Sequence, residues 1–216
     1  WSRDPQYLSQ EMMIKDWSIL CWSAKWLFEP EIMGQTVKPK EAINRTEESI
    51  LEGIWKLMNE AQIVVTQNGI RFDIKRLETK FIKYGYNPPS SSSNVDTLKV
   101  AKERFSFTYN SLEELGRELL GIKDGKIKMN MTDWKMCVTG NQEYLDKMLL
   151  YCQNDVAPLL EDVYLRLRPW IKSHPNLNVY TDHGGDVCPK CESNQLSWSL
   201  EYATPQGLWD GFRCNA

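Results

Sequence analysis

The residues Ile63-Val64-Val65-Thr66 form a short β-branched run, and the pattern changes period just beyond its end. Asn68-Gly69 follows as a turn dipeptide. Across residues 72–84, Ile74, Leu77, Phe81 and Tyr84 then recur on one helical stripe. A buried strand, a tight corner and an amphipathic helix, in that order, restrict the chain to an α/β fold. The strand needs sheet neighbours, and the helix needs a sheet face to cover. Asp73 stands at the corner, in the first helical turn. An acid there stabilises the helix dipole, so alone it has an ordinary structural explanation, as Asn68-Gly69 has as a turn.

The other segments extend this pattern. Residues 17–28 alternate around Leu20, Trp22, Ala24, Trp26 and Phe28, which predicts a long strand; Glu29-Pro30 starts a turn, and residues 32–37 return as its partner. Residues 46–61 read as a helix carrying Ile50, Ile54, Leu57 and Met58 on one face. Residues 88–93 are a loop, and 122–130 a basic loop with Lys123, Lys126 and Lys128. Asp96 is placed to cap a helix from Thr97. Ser111-Leu112-Glu113-Glu114 is a capping-box sequence, so a helix begins there and Gly121 ends it. The longest helix is expected over residues 142–168, with Leu145, Met148, Cys152, Leu159 and Val163 facing one way, and Pro158 kinks or breaks it.

On that helix Tyr151 and Asp155 fall one turn apart, on the flank of the apolar stripe. Such a pair is common by chance. Joined to a carboxylate at a strand-to-helix corner, it suits metal-assisted attack on a phosphodiester. The net charge of −3 leaves a nucleic-acid partner open, because binding charge can be local. No stretch approaches the roughly 20 apolar residues of a membrane span.

Asn68-x-x-x-Phe72-Asp73 after a strand, Val95-Asp96-Thr97-Leu98, the capped Ser111-Leu112-Glu113-Glu114-Leu115 and Tyr151-x-x-x-Asp155 occur here in one order. That order resembles the DEDD-type 3′–5′ exonucleases of the ribonuclease H-like superfamily. It resembles the tyrosine-containing branch, and predicted exonucleases related to the proofreading domain of family B DNA polymerases. The resemblance covers roughly residues 17–175 and implies a ribonuclease H-like mixed sheet flanked by helices. It further implies two Mg²⁺ or Mn²⁺ ions, with Asp155 holding the ion that activates water and Asp73 supporting the second. Tyr151 would orient the attacking water, and Asn68 and Phe72 would contact the terminal nucleotide, the ring by stacking. The family's first motif, an Asp-x-Glu on the opening strand, is absent. The chain starts at Trp1 without an initiator Met and stops one residue short of a second Cys-x-x-Cys, so the expectation is a fragment, inactive by itself.

Cys21, Cys137 and Cys152 are isolated in apolar contexts and read as buried thiols. Cys188-Pro-Lys-Cys191, followed by Cys214, outlines a small zinc-ribbon-like segment with Zn²⁺ on the three thiolates. Its fourth ligand is either a Cys just past the end or His183. The expected domains are thus 1–175, ribonuclease H-like, and 176–216, an incomplete ribbon. The expected function is 3′–5′ exonuclease action on nucleic acid, favouring single-stranded DNA, in the cytoplasm of a bacterial or phage-infected cell and alongside replication or repair proteins. The alternatives are an inactive nucleic-acid-binding module and a structure-selective endonuclease.

Overall fold

A computed structural model of the chain describes residues 16–90, 92–122, 128–180 and 185–216. Lys123, Lys126 and His183 lie outside the described residues. Strand β1 (Cys21–Lys25) pairs antiparallel with β2 (Ile32–Thr36), with Trp22 opposite Gln35. Helices α1 (Pro39–Asn44) and α2 (Glu48–Glu60) follow. Strand β3 (Ile63–Thr66), helix α3 (Asp73–Lys83) and strand β4 (Ser93–Asp96) form a unit whose strands pair in parallel, Val65 opposite Val95. Helices α4 (Thr97–Arg104), α5 (Leu112–Leu120), α6 (Met131–Val138), α7 (Gln142–Asn154) and α8 (Glu161–Leu167) complete the main body. The hairpin β5 (Leu196–Thr204) and β6 (Gly207–Cys214) lies at the C-terminal end. Among the described residues no helix is long and apolar enough to cross a membrane.

Both antiparallel and parallel pairings are present, as a mixed sheet requires, but β1–β2 and β3–β4 are separate two-stranded ladders. The expected strand over 17–28 is shortened to β1. Its aromatic alternation continues past the point where Glu29 N–H bonds Trp26 O at 3.1 Å and Phe28 turns left-handed at φ 68°. Helix α1 was not foreseen, although Pro39 in its first turn and Glu41, which accepts from Lys38 N–H, both favour it. Ser111 caps α5 by accepting from Glu114 N–H, and Gly121 ends the helix at φ 69°.

The helix expected over 142–168 is broken. Ala157 is extended (φ −139°, ψ 132°), and Pro158 has no N–H to continue the ladder. The break lets one apolar stripe serve two cores. Leu145 and Met148 of α7 join Leu20, Trp22, Ile50, Leu51 and Phe81 beneath β1–β2. Leu159, Val163 and Leu167 instead pack with Ala101 of α4 and Leu115 of α5. Tyr164 and Ile171 meet Val95 of β4.

One ion pair lies inside the first layer. Glu47 is fully buried and Lys80 nearly so, with Nζ 2.8 Å from Glu47 Oε1. Glu47 Oε2 accepts from Ile19 N–H, and Lys80 Nζ donates to Trp17 O at 2.8 Å. These bonds tie α3 and the start of α2 to the segment entering β1.

Candidate active site

The corner between β3 and α3 is held from below. Asn68 takes φ 63°, and its N–H donates to Asp96 Oδ1 at 2.9 Å, while Ile70 N–H reaches Asp96 Oδ2 at 3.4 Å. The same Oδ1 accepts from Leu98 and Lys99 N–H, so Asp96 caps α4 and clamps the corner at once. Gly69 is required here, because a Cβ would collide with the Thr66 side chain. Phe72 N–H closes the turn onto Asn68 O at 3.1 Å and leaves the Phe72 ring 48% exposed. The Arg76 guanidinium lies 3.9 Å over that ring, an i,i+4 cation–π contact that makes a flat, positively backed platform.

Asp73 is the first residue of α3. Its side chain reaches solvent, yet its carboxyl is crowded enough that desolvation pushes its pKa above the ordinary value. The backbone N–H of Asp73 and the charge of Arg76 oppose the rise, and the charge of Asp96 adds to it. Tyr151 and Asp155 are both half-buried. The Asp155 N–H bonds Tyr151 O, so the turn joining them is helical, although Asp155 sits where α7 ends rather than within a continuous helix. Cys152 lies between them in sequence, and burial and the charges of Asp155 and Asp73 oppose ionisation of its thiol. A hydrogen bond with Cys21 of β1 lowers the Cys152 pKa, while that bond and burial raise that of Cys21. Across the break, Lys25 Nζ of β1 holds Glu161 Oε2 at 2.6 Å and Phe28 N–H reaches Glu161 Oε1, fixing the strand to the start of α8.

Asn68, Phe72 and Asp73 thus share one corner, and Tyr151 and Asp155 share one turn. Arg76 and the Cys21–Cys152 contact were not read as site features. The i,i+4 spacing from Phe72 was the signal for Arg76, whereas nothing local joins Cys21 to Cys152. The carboxylate pair suits a hard divalent cation, which needs few protein ligands and retains water.

A raised carboxyl pKa means that the ionised Asp73 destabilises the folded state. The penalty is full above the raised folded value and absent below the ordinary unfolded value. Without added metal, Asp73→Asn is therefore expected to raise the melting temperature at neutral pH, with the gain shrinking as pH falls below the carboxylate range. Thermal melts at two pH values decide this; an equal or lower Tm for the variant at neutral pH would refute it.

The C-terminal segment brings Cys188, Cys191 and Cys214 together, with their sulfurs within 4.8 Å of one another and Cys191 Sγ 3.5 Å from Cys214 Sγ. The knuckle closes through Glu192 N–H to Cys188 O at 2.8 Å and Cys188 N–H to Ser193 O at 2.9 Å. The hairpin register sets Cys214 opposite Leu196 and so returns it to the knuckle. Burial opposes ionisation of Cys188, but the backbone N–H groups of Lys190 and Cys191 and the neighbouring thiols outweigh it and lower its pKa. Three converging sulfurs are a donor set for a thiophilic cation.

A family model described as the RNase_H superfamily matches residues 31–165, well over half of the 216-residue chain. The match runs from β2 into α8, and includes the corner and the Tyr151–Asp155 turn. No curated protein matches the chain.

Proposed function

The chain belongs to the RNase H superfamily, and from that premise we propose that it is a metal-dependent 3′–5′ exonuclease acting on single-stranded DNA. Membership supports a nuclease in general. The finer reading rests on one observation, the Asp73 carboxylate at the β3–α3 corner together with Tyr151 one helical turn from Asp155 at the end of α7. Asp73 and Asp155 would hold Mg²⁺ or Mn²⁺. Such ions, when bound, supply an activated water and stabilise the leaving oxygen. Tyr151 orients the attacking water through its hydroxyl. Asn68 and Phe72 receive the 3′-terminal nucleotide, its base stacking on the Phe72 ring that Arg76 backs.

Two carboxylates are fewer than the four of the resembled enzymes. No Asp-x-Glu occurs in the 216-residue sequence, so turnover by this chain should be weak. End-labelled single strands with Mg²⁺ test the proposal. A ladder receding from the 3′ end supports it. Internal cuts would make the protein an endonuclease, and binding without cutting would make it an inactive module.

The division into a nuclease domain, 1–175, and a zinc-ribbon segment, 176–216, belongs to the same proposal. Cys188, Cys191 and Cys214 hold Zn²⁺ as thiolates and order the hairpin, which serves contacts with nucleic acid or with replication and repair proteins. Three protein ligands bind more weakly than four. Metal analysis of the purified protein checks this. Less than about 0.5 zinc per chain, unchanged by Cys188→Ser, would reduce the three sulfurs to a chance cluster.

A further inference from the structure

Where α7 meets the first ladder, two thiols touch that the proposed reaction does not use. Cys21 stands at the start of β1 and Cys152 in the last turn of α7, both free and half-buried. Helix α7 packs against β1 and β2. Gly34 of β2 permits the close approach, because a Cβ there would lie 2.9 Å from Leu149 Cδ1. Cys21 Sγ lies 3.9 Å from Met148 O, one turn before Cys152. Helical side chains lean back over the preceding turn, so the Cys152 sulfur comes to this same spot, and the two thiols hydrogen-bond there. Asp155 lies between the two points at which this part of the chain is held to β1, Cys152 by Cys21 and Glu161 by Lys25.

We propose that Cys21 and Cys152 are a redox pair, which a hydroperoxide joins in a reversible disulfide that draws the end of α7 towards β1, displaces the Tyr151–Asp155 turn and slows hydrolysis. Only the loss of hydrolysis rests on the exonuclease reading. The bond from Cys21 favours the Cys152 thiolate, whose sulfur attacks one peroxide oxygen. The O–O bond breaks, Cys152 becomes a sulfenic acid, and the departing oxygen takes up a proton. The Cys21 sulfur then attacks the Cys152 sulfur, the S–O bond breaks, and the oxygen leaves as water with the Cys21 proton. The two sulfurs together give up two electrons, and the peroxide accepts them. Bonded sulfurs lie much closer than hydrogen-bonded ones, so closing the bond pulls on the turn that carries Asp155.

The test treats the protein with hydrogen peroxide, blocks the remaining thiols and maps the tryptic peptides. Peptides 16–25 and 148–166 carry one cysteine each. They should appear joined, and separate again with dithiothreitol. Amide hydrogen exchange across residues 151–155 should differ between the reduced and oxidised protein. Hydrolysis of an end-labelled strand should fall on the order of 10²-fold on oxidation, the scale of an ångström-level misplacement, and return on reduction. Cys21→Ser should show no joined peptides and no such fall, which separates this pair from oxidation of Cys188, Cys191 and Cys214. Absence of the 16–25/148–166 link in the wild type, or a link that leaves exchange at 151–155 unchanged, overturns the proposal. An equal loss of rate in Cys21→Ser overturns it as well. If the reduced protein cuts nothing, the exonuclease reading fails, while the link and the exchange still judge the redox pair.

Discussion

Asp155→Ala should lower metal-dependent hydrolysis by several orders of magnitude while leaving the fold intact. The residue is half-buried at the end of α7, one helical turn from Tyr151. In the proposed reaction it holds the ion that generates the nucleophile, and removing such a ligand forfeits the chemistry rather than one hydrogen bond. Tyr151→Phe removes only a positioned hydroxyl, and a loss on the order of 10²-fold is expected. Single-turnover rates on an end-labelled strand measure both. Near-wild-type cutting by Asp155→Ala would remove this residue from the site, whatever Tyr151→Phe does.

The largest effect on stability is expected at Lys80. Its ammonium is almost enclosed, held by the fully buried Glu47, the Trp17 carbonyl and the Trp17 ring 4.3 Å away. Lys80→Met strands the Glu47 carboxylate without its counter-charge, and breaking a buried pair from one side costs about 3–5 kcal/mol. Replacing both partners, Glu47→Leu with Lys80→Met, should recover most of that, because the double variant leaves no uncompensated charge. Urea unfolding of the two variants separates these cases. Equal instability of the single and double variants would mean that packing around Trp17, and not the ion pair, holds this layer.

The local parts of this architecture were legible in the sequence. The β3–corner–α3 unit, the Ser111 cap, the Gly121 stop and the break at Pro158 are each signalled within a few residues, through periodicity, capping chemistry or a missing N–H. Long-range features were not. The Asp96 cap on α4 could be read, but not its grip on Asn68, since the corner approaches Asp96 only once β3 and β4 pair. Glu47 and Lys80 look like solvated charges on two helices until the two are packed against the entry to β1. The strand over 17–28 was overextended because aromatic alternation continues through a turn that only Phe28's backbone reveals. At the candidate site, the residue types and their order were readable. How α7, which carries Tyr151, sits against the rest of the molecule depends on Leu145 and Met148 packing into the core beneath β1–β2, which no local signal announces.

The interruption after Asn154 has a mechanical consequence. A continuous rod would transmit any shift of one end to the other and would hold its middle by hydrogen bonds alone. Here the two rods are anchored in different hydrophobic clusters, and the carboxylate at their joint takes its position from both. A loosened Leu145 on one side or Val163 on the other would move Asp155 without touching it. In such a layout, remote packing defects reach the reaction centre as small displacements of one oxygen pair, so activity would register damage well before the fold gives way.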